Sequence, residues 1–216
     1  MNAFARRYLL ALAAGLFALP AMAQTPPAPA ERASAPAPAP ALPRVVLETA
    51  EGRIVLELET AKAPVTAKNF LRYVDNKRFD GAVFFRASKT PGAPQYGLLQ
   101  GGLQGDVSKM YPPIAHEPTT QSGLKHLDGT ISMGRFAPGT ARADFFILLG
   151  EAAYLDADPK QPGDNQGFAA FGRVVEGMDV VKKIHAMPLS PTKGEGVMKG
   201  EILETPVKIV SARRAD

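Results

Sequence analysis

His116, His126 and His185 are the only imidazoles in the chain, and there is no cysteine. The lack of thiols excludes disulfides, thiol nucleophiles and thiolate metal sites. No two histidines stand four residues apart, the spacing that places a zinc pair on one helical face, so they read as solvent-facing or hydrogen-bonded surface residues. Gly101-Gly102 with Gly105 has the glycine density of a phosphate cradle, but no Lys-Ser/Thr pair follows and no helix start is evident; a bend between strands is the better reading. Asp156, Asp158, Asp164 and Asn165 outline a calcium loop in which Lys160 takes the fifth position and Gly167 the twelfth, where oxygen ligands belong. With these sets removed, four short stretches stay distinctive: FDGAVFFR at 79–86, LLQGG at 98–102, GTISM at 129–133 and DFFI at 144–147.

The elements that must position them can be read from periodicity. Ile54, Leu56 and Leu58 alternate with Val55, Glu57 and Glu59, so residues 45–47 and 54–59 form a hairpin around Glu51-Gly52. Pro64 suits a first helical turn, and Ala67, Phe70, Leu71 and Val74 recur at helical spacing, predicting a helix over 64–76. Strand-length apolar runs follow at 82–85, 96–100, 130–133, 145–149, 169–175 and 207–210, separated by Gly, Pro and Asp clusters. Residues 178–186 predict a second helix with Val181, Ile184 and His185 on one face. About eight strands and two helices, without regular βαβ alternation, imply a mainly β antiparallel barrel or sandwich; periodicity does not choose between them.

The chain has 216 residues, 45% hydrophobic and 21% charged, which suits one globular domain with an accessory segment. Arg6-Arg7, an apolar run over 8–19, Pro20 and Ala21-Met22-Ala23 form the pattern of a signal peptide over 1–23, cut before Gln24. The run is shorter than the ~20 apolar residues of a spanning helix, so stable membrane insertion is not expected. Its removal reduces the formal charge from +4 to +2, which gives no reason to expect nucleic acid. Residues 24–43 are nearly all Ala and Pro and read as a disordered, semi-rigid tether, leaving 44–216 as the folded domain. These features predict export, to the periplasm in a double-membraned bacterium.

In order and spacing, the four stretches together with YLD at 154–156 and FGRVVEGMDV at 171–180 resemble the cyclophilin-type prolyl isomerases, with loops most like those of the bacterial exported branch. The resemblance spans residues 44–213. It implies an eight-stranded antiparallel barrel capped by two helices, with a site on the barrel's outer face. The implied reaction is rotation about Xaa-Pro bonds of exported proteins by a monomer, with no covalent intermediate, metal or cofactor. Amide resonance sets a barrier of about 18–20 kcal/mol, which a donor placed on the prolyl nitrogen can weaken in the twisted state. Arg86 matches the family's catalytic arginine and Gln100 the glutamine that positions it. Phe146, Met133 and Leu98 match the wall of the proline pocket, while Gly134, Arg135, Asp144, Tyr154 and Phe168 fall at further substrate-binding positions. Along 144–147 the period of two places Asp144 and Phe146 on one face and Phe145 and Ile147 on the other.

Departures from the family pattern bear on rate and specificity. Phe85 and Phe168 replace histidines, Gly97 falls where a pocket phenylalanine is usual, and Asp144 replaces a glutamine. The stretch 89–95 reads as an insertion, with Tyr96 a candidate to supply the aromatic wall instead of Gly97. Tyr154 takes the place of a tryptophan that favours cyclosporin, so weak cyclosporin binding is expected. The Asp144 carboxylate is expected to compete with the prolyl nitrogen for Arg86, unless Arg135 and Arg142 hold it away. The rival readings are a chaperone-like module that binds proline segments with weak or no turnover, and a structural or carbohydrate-binding barrel.

Overall fold

The computed structural model describes residues 41–215. The expected signal peptide and all but the last three residues of the tether lie outside the described residues.

Eight strands close into an antiparallel barrel. They are β1 (Arg44–Thr49), β2 (Gly52–Leu58), β3 (Val83–Thr90), β4 (Ala93–Gly102), β5 (Thr130–Met133), β6 (Phe145–Leu149), β7 (Ala170–Glu176) and β8 (Ile202–Arg214). Around the barrel the order is β1-β2-β7-β5-β6-β4-β3-β8, with β8 pairing both β1 and β3 to complete the ring. Closure leaves no sheet edge unpaired and resolves the choice between barrel and sandwich. The predicted insertion at 89–95 is the tip of the β3–β4 hairpin, where Thr90 pairs with Ala93.

Two principal helices pack on the barrel: α1 (Pro64–Asp75) against β7 and β8, and α3 (Met178–His185) against β2, β3 and β4. A single turn, α2 (Thr119–Ser122), lies in the long β4–β5 connection, and its brevity left no periodic signal. Phe70 of α1 meets the inward rings of Phe145 and Phe171 at 5.4 and 5.3 Å, so the helix completes the barrel core. The apolar face of α3 is Val181 and Ile184, with His185 beside them. Asp179 in its first turn and Lys182 and Lys183 in its last match the helix dipole.

Helix α1 has no capping side chain of its own, because Ala63 precedes Pro64. Its first turn is satisfied from 52 residues away by Glu117, which is 2% exposed. Glu117 Oε1 accepts the Val65 N–H at 3.0 Å, and Oε2 accepts the Thr66 N–H at 2.7 Å and the Thr66 hydroxyl at 2.6 Å. A carboxylate at a helix N-terminus satisfies orphan donors and complements the dipole together. The Glu117→Ala variant strands two buried donors and one part-buried donor, a loss of about 2–4 kcal/mol, which lowers Tm by roughly 5–10 °C in a domain of this size. Glu117→Gln, which keeps an acceptor, falls between Ala and wild type; calorimetry showing all three melting together would refute the cross-chain cap.

Candidate active site

Strand parity and one irregularity build the site. On β3, Phe84 faces the barrel interior and pairs with Gly101, while Arg86 pairs with Gln100, the next residue back along β4. Phe85 is therefore the extra residue of a β-bulge against β4, and the β3–β8 register also breaks between Phe84 and Arg86. Regular alternation would turn Arg86 to the same side as Phe84. The bulge inverts the parity, so that Ala87 faces inward and Arg86 outward. Close approach on the neighbouring strand is permitted by Gly101, where a Cβ would lie 2.7 Å from the Phe84 ring. Gly101 and Gly102 thus belong to β4, and the expected bend between strands is replaced by continuous pairing with β3.

From Arg86 a row of outward side chains crosses four strands: Arg86 pairs with Gln100, Gln100 with Phe146, and Phe146 with Ser132. The first three line a groove of about 960 Å³, at the upper end of the range for small-ligand clefts. Leu98, Gly134, Arg135, Asp144, Tyr154 and Phe168 line it too, so the structure gathers most of the predicted site residues into one cavity. Met133 is the correction. It shares parity with Ile131, pairs with the inward Phe145 and lies in the barrel core, 1% exposed.

The expected aromatic wall at 96–97 is also corrected. Gly97 has φ of +137°, and a Cβ there would lie 2.0 Å from the Ser88 carbonyl oxygen, so the backbone admits no phenylalanine. Tyr96 packs against Gly150 and does not line the groove. The bulged Phe85 does.

Arg86 is held on two sides. Its Nη1 donates to Gln100 Oε1 at 2.9 Å, its Nε donates to Glu201 Oε2 at 2.8 Å, and Nη2 stands 2.6 Å from that same oxygen. One N–H on each terminal nitrogen has no acceptor among the described residues. Glu201 went unnoticed in the sequence because it lies 115 residues from Arg86; only the β3–β8 register, with Arg86 opposite Ile202, brings it alongside.

Asp144 does not compete for Arg86. Its Oδ1 accepts the Leu103 and Gln104 N–H groups at 2.8 and 3.0 Å, which ties the carboxylate to the turn after β4. Burial pushes its carboxyl up from the ordinary range, and the two N–H bonds oppose that rise. Arg135 does not restrain Asp144 either: its guanidinium is committed to the Gly167 and Phe136 carbonyls and to Asp164. It lies 4.8 Å under the Phe168 ring and so braces the loop that carries that side of the groove. Asp156 and Asp164 turn to His126 and Arg135, away from any shared cation centre.

Two of the histidines are buried, contrary to the surface reading. His185 Nε2 lies 3.0 Å from the Ser88 carbonyl, and His126 sits between Asp156 and Ser132, with Nδ1–Oδ1 2.8 Å and Nε2–Oγ 3.0 Å. The neutral ring satisfies both contacts of His126 by donating to Asp156 and accepting from Ser132. His126 lies nearly parallel to Phe146, with centroids 6.2 Å apart, and Phe168 meets Phe146 edge-on at 5.5 Å. The pocket ring is thus clamped between a polar buttress and an aromatic rim.

Desolvation lowers the His126 pKa, with the Asp156 carboxylate only partly opposing it, and desolvation lowers that of His185 as well. A folded-state pKa below the unfolded value of about 6.5 makes the unfolded chain bind the extra proton first, so stability is full above that pH and falls as pH drops through it. Denaturant melts should show decreasing stability from pH 7.5 to 5.5, with a shallower slope in His126→Gln. An identical slope in the variant would remove His126 from the account. Asp144 acts in the opposite sense, its carboxyl being raised by burial above the ordinary aspartate value of about 3.9.

Comparison with known proteins agrees with this geometry. Residues 44–214 match the family model described as cyclophilin type peptidyl-prolyl cis-trans isomerase/CLD. A peptidyl-prolyl cis-trans isomerase of Streptomyces antibioticus is 36% identical, over 78% of this chain and 96% of that protein. One from Acinetobacter baylyi is 34% identical, over 78% of this chain and 84% of its own length. The crystal structure of a Cryptosporidium parvum cyclophilin shares the fold with a TM-score of 0.63 at 18% identity, covering 81% of this chain and 98% of that one. The chain belongs to the cyclophilin-type peptidyl-prolyl cis-trans isomerase family.

Proposed function

We propose that this isomerase is exported, works as a monomer and accelerates Xaa-Pro rotation in exported proteins, with Arg86 as the donor to the prolyl nitrogen. The observation that carries the catalytic part is a fixed guanidinium, with two uncommitted N–H groups, on the lining of a groove walled by Phe146. Twisting an Xaa-Pro bond removes amide resonance and leaves a lone pair on nitrogen. A donor held in place binds that state better than either planar one, and only such differential binding lowers the barrier. Phe146 and Phe168 offer the prolyl ring an apolar surface, and Leu98 extends it. The signal-peptide pattern at 1–23 and the Ala/Pro tether support export; the groove, complete within one chain, supports action as a monomer.

In a protease-coupled assay on an Ala-Pro tetrapeptide, Arg86→Ala should lower kcat/KM by about 10²-fold or more, the usual loss of a preorganised donor. Arg86→Lys should recover little, since an ammonium is a point charge without the planar fork. A second reading, binding of proline segments with weak turnover, draws on the exposed apolar rim of Val107, Phe136, Tyr154 and Val197. Saturable peptide binding without acceleration by wild type would favour it.

Tyr154 is 79% exposed at that rim, and the reading of weak cyclosporin binding rests on it. Tyr154→Trp, which adds ring area and an indole N–H, should tighten cyclosporin by about fivefold in a fluorescence titration. No change would take position 154 out of the cyclosporin site.

A further inference from the structure

We infer that Glu201 is a positioning residue for Arg86, setting the plane in which the guanidinium meets the substrate. The inference rests on Arg86 being the donor. Three bonds fix the Glu201 carboxylate: Oε2 faces Arg86 Nε at 2.8 Å and Nη2 at 2.6 Å, and Oε1 accepts the Ser88 hydroxyl at 2.8 Å. Its backbone is fixed as well, because the Glu201 carbonyl accepts the Ala87 N–H at 2.9 Å and its N–H reaches the Met198 carbonyl at 3.1 Å. Both side chains are largely sheltered, at 17% exposed for Arg86 and 26% for Glu201.

A guanidinium on a flexible stem can rotate about its last torsions unless both ends of the fork are held. Gln100 holds the Nη1 end and Glu201 the Nε–Nη2 edge. What remains free is one N–H on each terminal nitrogen. The carboxylate also has a cost, because a negative charge beside the guanidinium weakens the field at the prolyl nitrogen. Orientation and charge therefore act in opposite directions, and substitution separates them: Glu201→Gln keeps an oxygen acceptor and removes the charge, whereas Glu201→Ala removes both.

If orientation dominates, Glu201→Ala lowers kcat about tenfold with KM within about twofold, the kinetic equivalent of one charge-assisted hydrogen bond. Glu201→Gln then recovers most of the lost kcat, and Ser88→Ala, which frees only Oε1, loses about two- to threefold. In ¹⁵N NMR the Arg86 Nε–H resonance should be slow to exchange in wild type and Glu201→Gln and fast in Glu201→Ala, a change that general loosening of the fold does not produce while Tm is kept. The inference is overturned if kcat in Glu201→Ala equals or exceeds that of wild type, or if the Nε–H exchanges equally fast in all three proteins. An inactive wild type, or full activity in Arg86→Ala, would instead refute the donor role of Arg86, so the two failures are distinguishable.

Discussion

The β-bulge at Phe85 is the constraint on which the site depends. Through that single extra residue, β3 gives Phe84 to the core and Arg86 to the outer face within three positions. Everything chemical then follows from register: Gln100, Phe146 and Ser132 occupy successive strands in the same row. The inward row beside it contains Ala87, Leu99, Ile147 and Ile131, so the strands that present the groove also fill the barrel. A rigid closed sheet suits a reaction that needs one donor held still, because side chains on paired strands are placed more tightly than side chains on loops.

Around that row the groove is braced by polar groups that do not face substrate. Asp156 and Ser132 hold His126, and His126 backs Phe146. Arg135 spends its donors on the 164–167 loop and supports Phe168 from below. Asp144 is bound to the turn after β4, whose Gln104 and Gly105 line the groove. No buried side-chain polar atom among the described residues lacks a partner, so these braces add order without stranding charge.

Much of the barrel was legible because its strands obey a period of two and its principal helices a period of 3.6. Arg86, Gln100 and Phe146 were legible because each lies in a short stretch whose order along the chain is distinctive. Local pattern misled where parity or burial depends on distant partners. Met133 turns inward with Ile131, Gly97 is confined by the Ser88 carbonyl, and His126 and His185 find their partners only after folding. Glu117 and Glu201 left no signal at all: each acts across more than 50 residues, on a helix end in one case and on a guanidinium in the other.

The central claim is that the row from Arg86 to Phe146 is where proline is twisted. A crystal structure of the protein with a bound Ala-Pro peptide tests it most directly. The account predicts the prolyl ring against Phe146, with a terminal nitrogen of Arg86 within hydrogen-bonding reach of the prolyl nitrogen, about 3 Å. A proline seated elsewhere in the groove, with Arg86 still turned wholly to Glu201 and Gln100, would contradict it.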